Sequence, residues 1–279
     1  MTEKNNLDKF CILISVYIKE NAKFLDRALK SIYDEQEVKP DQIVLVEDGK
    51  LTNELYKIIQ IWKEKLGEIL EIVKLEKNIG LGDALKIGLT KCKFELIARM
   101  DSDDISLPNR FKSQLEVFKN NPNLDICGSW VGEFENDENE IYAYRKLPQN
   151  HDEIYKFAKI RCPLNHPSVM FKKSAVLKAG NYQKSLMTED YFLWVRMFLN
   201  GAKFYNIPQM LVKMRAGKSQ LTRRSGLKYA INEFRMQKEF YKLGFLNFYE
   251  FIRNASIKFV IRLFPKYILS KIYLLLRDK

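Results

Sequence analysis

Phe10-Cys11-Ile12-Leu13-Ile14-Ser15-Val16 is an almost wholly apolar run that stops at Tyr17, and Gln42-Ile43-Val44-Leu45-Val46 repeats it before Glu47-Asp48-Gly49. Short apolar runs bounded by polar residues read as strands buried on both faces. Between them Phe24, Leu25, Ala28, Leu29 and Ile32 recur at helical spacing, and Pro40 separates that helix from the second strand. The pattern is a β-α-β unit. It continues through a helical stretch at Leu55 to Leu66, a strand at Leu70 to Leu75, a helix at Leu81 to Leu89, and a strand from Leu96 to Met100 that runs into an acidic turn. Alternation of this kind predicts an α/β fold, a Rossmann-like, mainly parallel sheet flanked by helices. Ligands of such sheets bind at the carboxyl ends of the strands, so Tyr17, Asp48, Asn78 and Asp101 are expected to converge.

Further along, Arg110 to Phe118 reads as a helix, and Ile126 to Phe134 with Ile141 to Tyr144 as a strand pair. A helix near Asp152 to Ile160, a proline-bearing segment from Cys162 to Met170, a helix at Asp190 to Leu199 and a basic helical tail from about Ser225 follow. No internal repeat or low-complexity linker interrupts them. With 279 residues, 46% hydrophobic and 29% charged, the chain is neither disordered nor fibrous. No stretch reaches the roughly 18 apolar residues of a membrane-spanning helix, and no secretory apolar core with a cleavage site is found near the N-terminus. Cys11, Cys92, Cys127 and Cys162 form no CxxC pair. Reduced thiols in a cytoplasm are expected.

The net charge of +12 is concentrated at one end: Lys203 to Lys279 holds 17 basic and 4 acidic residues, while the preceding chain holds 30 against 31. That asymmetry suits an anionic partner, whether a phosphate-bearing ligand, a nucleic acid or an acidic membrane, although a solvated basic face would also produce it. Within this region apolar residues dominate from Phe251 to Leu276. Lys258 and Arg262 lie four apart, Pro265 breaks the helix, and Ile268 to Leu276 bears Lys271. Two short amphipathic pieces are expected to lie on an anionic membrane surface, with their cations at the headgroups. The alternative is packing against the rest of the chain or a second subunit.

Two acidic groups carry the chemistry. Asp101-Ser102-Asp103-Asp104 crowds three carboxylates at the end of an apolar strand. Such crowding suits a hard divalent cation, Mg²⁺ or Mn²⁺, held by oxygen alone; a helix cap before Arg110 would also favour Asp and Ser. Glu189-Asp190 opens an amphipathic stretch. Acidic residues there gain from the helix dipole, or they provide a general base with a raised pKa. Trp194 reads as a core anchor or as a stacking platform. Gly80-Leu81-Gly82 is no dinucleotide fingerprint, because Leu85 stands where the third glycine belongs.

Taken in order, Leu13-Ile14-Ser15-Val16-Tyr17, Val44-Leu45-Val46-Glu47-Asp48-Gly49, Asn78-Ile79-Gly80-Leu81-Gly82, Met100-Asp101-Ser102-Asp103-Asp104 and Thr188-Glu189-Asp190-Tyr191 resemble the motif series of family 2 glycosyltransferases. The resemblance spans roughly Phe10 to Arg224 and is strongest to bacterial enzymes that build capsule, exopolysaccharide and O-antigen chains. It implies a GT-A fold, with residues 1–224 as the nucleotide-sugar-binding and catalytic domain and 225–279 as a basic helical extension. It further implies that Ser15, Val16, Tyr17, Asp48, Asn78, Asp101 and Ser102 contact the nucleotide sugar, with Asp48 at the pyrimidine imide. Asp101 and Asp103 match the metal-binding DxD pair, Asp190 the inverting base with Glu189 beside it, and Arg223-Arg224 an arginine element suited to a diphosphate. His166 falls in a loop near the acceptor, and Trp194 is a second acceptor candidate. Ile18-Lys19-Glu20 departs from the asparagine that many members carry after the tyrosine.

The resemblance therefore implies an inverting, metal-dependent transfer from a nucleotide sugar, UDP-galactose or a UDP-N-acetylhexosamine, to a saccharide on a lipid diphosphate. The enzyme would sit on the inner face of the cytoplasmic membrane. A divalent ion on the diphosphate stabilises the leaving group, and one base opposite it gives inversion. A sugar-1-phosphate nucleotidyltransferase is a weaker alternative, because Phe10 to Glu20 lacks the glycine-rich, arginine-bearing loop of that class. A nucleic-acid binder would use the basic tail and leave the acidic residues unexplained.

Overall fold

The computed structural model describes residues 9–184, 188–216 and 226–263. Arg223, Arg224, Pro265 and the second apolar segment from Ile268 lie outside them. In chain order the elements are β1 (Phe10–Val16), α1 (Ala22–Ile32), β2 (Gln42–Glu47), α2 (Asn53–Leu66), β3 (Leu70–Lys74), α3 (Leu81–Lys91), β4 (Leu96–Asp101), β5 (Ile105–Ser106) and α4 (Arg110–Asn120). Then follow β6 (Ile126–Phe134), β7 (Ala143–Arg145), α5 (His151–Ala158), β8 (Met170–Lys172), α6 (Lys173–Lys178), α7 (Glu189–Leu199), β9 (Phe204–Arg215), α8 (Leu227–Lys242) and α9 (Phe248–Leu263).

The strands lie in the order β3-β2-β1-β4-β8-β6-β9-β5, with β7 on β6. From β3 to β4 every pairing is parallel, as the β-α-β reading predicts. Beyond β4 the sheet is mixed: β8 runs antiparallel to both β4 and β6, while β6 and β9 are parallel. The strands β8 and β9 and the short helix α6 are additions to the sequence reading.

Alternation along β1 divides the core. Cys11 and Leu13 face one layer with Ala84 and Leu85 of α3, Leu193 and Trp194 of α7, and Phe240 of α8. Phe10, Ile12 and Ile14 face the other, with Leu25 and Leu29 of α1, Leu55 and Trp62 of α2, and Phe111 of α4. Each such side chain, fully buried, contributes roughly 1.5–3 kcal/mol. Asn21 caps α1 by accepting from the Lys23 amide, and Thr52 caps α2 by accepting from the Leu55 amide.

Helices α8 and α9 form a hairpin seated on α7: the Phe240 ring lies 4.8 Å from Tyr191 and 4.9 Å from Phe192. Lys258 and Arg262, expected to face headgroups, instead turn into the hairpin. Both pair with the buried Glu233 of α8, at 2.9 and 3.1 Å. The low dielectric between two apolar helices makes that carboxylate their better partner. Among the described residues no helix is long and apolar enough to cross a membrane.

Candidate active site

Register places the site at the carboxyl edge of the parallel strands. Ser15 pairs with Asp101 across β1 and β4 and with Val46 across β1 and β2, and the Asp48 amide donates to the Val16 carbonyl over 2.8 Å. The structure thus brings Ser15, Val16, Tyr17, Asp48, Asn78 and Asp101 to one edge, with Tyr17 exposed. Asp48 is 3% exposed, and its carboxylate is engaged within the protein. Its oxygens accept from Asn78 Nδ2 at 2.9 Å and from the amides of Ile79 and Gly80 at 2.8 and 3.1 Å. Asn78 does not cap α3; it ties the β3–α3 loop to β2. Gly49 permits this approach, since a Cβ there would stand 2.5 Å from the Asn78 nitrogen.

Odd-numbered positions of β4 point toward α3 and α7, which places Arg99 and Asp101 in the layer that holds α7. Arg99 is 1% exposed, and its Nη2 pairs with Asp101 Oδ1, while Nε and Nη1 have no partner. Asp103 is half-buried. Burial, then the charges of Asp101 and Glu20, push its carboxyl up to about 7. Ser102 donates to Glu20 Oε2 over 2.7 Å, so the departure at Ile18-Lys19-Glu20 adds one more carboxylate to the site. Asp104 is buried and accepts from the Arg215 amide at 2.8 Å; burial and its acidic neighbours raise it well above the ordinary range.

Glu189 and Asp190 occupy the first turn of α7. Gly82 lets that turn approach α3, because a Cβ there would stand 3.2 Å from the Glu189 Cβ. Burial raises both carboxyls above their ordinary values. Beside them burial, and after it the charge of Arg99, hold His166 far below the ordinary histidine range, so its ring is neutral. His166 Nε2 and Tyr182 Oη share a hydrogen bond of 3.0 Å. Trp194, one of the acceptor candidates, is fully buried under the His166 ring and cannot stack on a sugar. The apolar pattern around Leu193 and Met197 had already made the core its natural place.

Arg99, Glu20, Tyr182 and Arg215 are site residues that the sequence motifs did not single out. Arg99 left a signal as a lone cation at an inward position of an apolar strand, and Glu20 one as part of the departure after Tyr17. Cys162, which belongs to no CxxC pair, donates toward Asp190.

Among the described residues no group of three or more His, Cys, Asp and Glu side chains is disposed to hold a metal ion. What the turn offers is a pair of carboxylates, with Asp101 drawn toward Arg99 and Asp103 in surroundings where burial and the charges of Asp101 and Glu20 outweigh that of Arg99. Oxygen donors of that number fit a Mg²⁺ or Mn²⁺ whose remaining positions come from a diphosphate or water. The residues present suit such an ion shared with a substrate, and not a closed protein cage.

The description Glycosyl transferase family 2 matches residues 11–179. Over 265 residues the chain is 40% identical to the UDP-Gal:alpha-D-GlcNAc-diphosphoundecaprenol beta-1,3-galactosyltransferase of Escherichia coli, covering 95% of each chain. It is 37% identical over 269 residues to the amylovoran biosynthesis glycosyltransferase AmsE of Erwinia amylovora, covering 95% of this chain and 97% of that one. Among solved structures, S. aureus TarS superposes with a TM-score of 0.63 at 17% identity, over 91% of this chain and 43% of its own. The mannosyltransferase PcManGT of Pyrobaculum calidifontis, in complex with GDP-Man and Mn²⁺, superposes with a TM-score of 0.62 at 14% identity, over 90% and 73%. These likenesses show the GT-A architecture.

Proposed function

The chain belongs to glycosyl transferase family 2, and from that premise we propose that it moves a hexose from a UDP-sugar to a saccharide hydroxyl on a lipid diphosphate, inverting the anomeric carbon. Galactose is the favoured donor sugar and β-1,3 the favoured linkage, because the E. coli relative named for that transfer is 40% identical along nearly the whole chain. An N-acetylhexosamine is the second candidate. The observation that carries the reading is the gathering of two acidic groups around one buried guanidinium: Arg99 pairs with Asp101, next to Asp103 in the turn after β4, and its charge reaches Glu189 and Asp190 at the head of α7.

A bound divalent ion would take up the negative charge that grows on the departing diphosphate. The chain's own residues do the rest. Asp103 and Asp101 offer the ion its protein oxygens, and Ser15, Val16 and Tyr17 line the strand edge where the nucleotide lies. The loop that Asp48 and Asn78 hold closes the same edge. Asp190 takes the proton from the acceptor hydroxyl; burial makes it a stronger base than a free carboxylate, while the Tyr191 amide, the Cys162 thiol and the charge of Arg99 partly offset that rise. Arg223 and Arg224, outside the described residues, are suited to the diphosphate.

Residues 1–224 are the catalytic unit in this reading, and the hairpin that follows meets the anionic inner face of the cytoplasmic membrane. Support for the membrane comes from exposed apolar side chains on α9, with Phe248 at 64% and Tyr249 at 72%. The test is UDP release, measured for a set of UDP-hexoses with an N-acetylglucosamine diphosphoryl lipid as acceptor and Mn²⁺ present. Turnover of one UDP-hexose that requires this acceptor is the expected result. Absence of UDP release from every UDP-hexose tried would discard the reading.

A further inference from the structure

The geometry points to Cys162 as a positioning residue for Asp190: its thiol proton holds Oδ2 and helps fix the face that the carboxylate turns to the acceptor hydroxyl. The inference rests on Asp190 being the base. Cys162 lies between α5 and the 3-10 turn at His166–Ser168, and its Sγ stands 3.6 Å from Asp190 Oδ2. The same sulfur is 3.5 Å from the Leu164 carbonyl, so one proton has two acceptors in reach. An ionised acceptor attracts a proton more strongly than a neutral carbonyl, and the carboxylate takes the larger share. Arg99 faces Asp190 from β4, the Tyr191 amide donates to its carboxylate, Glu189 and Tyr182 flank it, and Arg145, Arg161 and the Tyr191 ring face the thiol.

Two features suit a thiol to this place. Burial and the Asp190 charge push the Cys162 thiol well up, so it stays protonated and acts as a donor at every working pH. A thiol is also a weak donor. It can orient the carboxylate while taking little basicity from it, whereas a strong donor would lower the base further, as hydrogen bonds to a charged form do. A covalent role for this sulfur finds no such support, because a thiol held protonated is a poor nucleophile.

The experiment compares Cys162→Ala, Cys162→Ser and Asp190→Asn for kcat across pH and for UDP affinity. Cys162→Ala is expected to lower kcat roughly tenfold, part of the 10²- to 10⁴-fold that a general base contributes. Its acidic limb should move up by about half a pH unit, because the charged base has lost a donor. Cys162→Ser should keep kcat within about threefold and place the limb at or below that of the parent, since a hydroxyl donates more strongly. Unchanged UDP affinity shows that the variants are folded. If alanine leaves both kcat and the limb unmoved, or if alanine and serine move the limb together, while Asp190→Asn is inactive, Cys162 does not position the base. If Asp190→Asn itself turns over normally, the base assignment fails first.

Discussion

The backbone amide of Arg215 donates to Oδ1 of Asp104 over 2.8 Å, which ties the last residue of β9 to the acidic turn after β4. The Arg215 guanidinium lies over the Phe24 ring at 3.7 Å, and its Nε donates to the Asp103 carbonyl at 3.3 Å. The three aspartates of the turn therefore differ in kind: Asp101 answers Arg99, Asp104 holds the turn to β9, and Asp103 sits among the negative charges of Asp101 and Glu20.

Substitution should separate Asp103 from Asp104. In Asp104→Asn the amide oxygen still accepts from Arg215, and little charge is lost, because burial already disfavours the ionised form. UDP affinity in Mn²⁺ should stay within about twofold, a few tenths of a kcal/mol. Asp103→Asn removes a charged oxygen ligand, and the Mn²⁺-dependent part of UDP binding should weaken by roughly tenfold or more, about 1.4 kcal/mol. Titration calorimetry with and without Mn²⁺ reads both; equal losses in the two variants would mean that the metal does not choose between them.

If a divalent ion binds at Asp103 as proposed, the raised carboxyl there makes that binding depend on pH. Its carboxyl sits at about 7 against an ordinary 3.8, so between those values the folded protein holds a proton that the unfolded chain has released. By linkage this group's contribution to stability falls as pH rises through that window. A divalent ion competes with the same proton. The rise in Tm caused by Mn²⁺ should therefore be small at pH 5.5, grow as pH passes about 7, and then level off. A Mn²⁺ effect already complete at the acid end would contradict the placement of the ion on Asp103.

The half of the fold from β1 to β4 is legible because fully buried parallel strands announce themselves as apolar runs, with Gly49, Gly80 and the acidic turn as punctuation. β9 is not, although it is the longest strand. Pro208 interrupts it where the pairing with β6 slips, between Ile207 opposite Ser129 and Met210 opposite Trp130. β8 has three residues, too few for any period. At the site, residues in or beside a motif could be read, Glu20 only as a departure after Tyr17, whereas Tyr182 and Arg215 reach it from distant elements by tertiary contact alone. The inward turn of Lys258 and Arg262 involves Glu233 on the neighbouring helix, which their own helix pattern cannot reveal.

Trp194 tests the distinction between core and platform. Fully buried between α7 and the His166 ring, it should cost roughly 3–5 kcal/mol of folding stability when truncated to alanine. Trp194→Phe should retain most of that stability and the affinity for acceptor, as measured by KM. Denaturant unfolding and acceptor kinetics decide it. A Trp194→Phe variant of native stability with a KM raised tenfold or more would return the residue to the acceptor site.

With Lys258 and Arg262 occupied by Glu233, contact of the hairpin with a membrane must rely mainly on apolar side chains. Phe248, Tyr249, Ile252 and Val260 share an exposed stripe of α9, and Arg235, Lys238 and Lys242 are exposed on or at the end of α8. Entry of one aromatic ring into the acyl boundary contributes up to about 1.5–3 kcal/mol, against about 1 kcal/mol for each cation near anionic headgroups. Binding to anionic liposomes should then be weakened by salt without being abolished. Truncation is a poor probe, since Phe240 and Phe245 belong to the core. Exposed positions serve better: Phe248→Ser with Tyr249→Ser should leave folding stability within about 0.5 kcal/mol, keep UDP binding, and cut the pelleted fraction at high salt. If the double variant and the parent sediment alike with liposomes, or if neither sediments, α9 does not meet a membrane and its exposed rings need another partner.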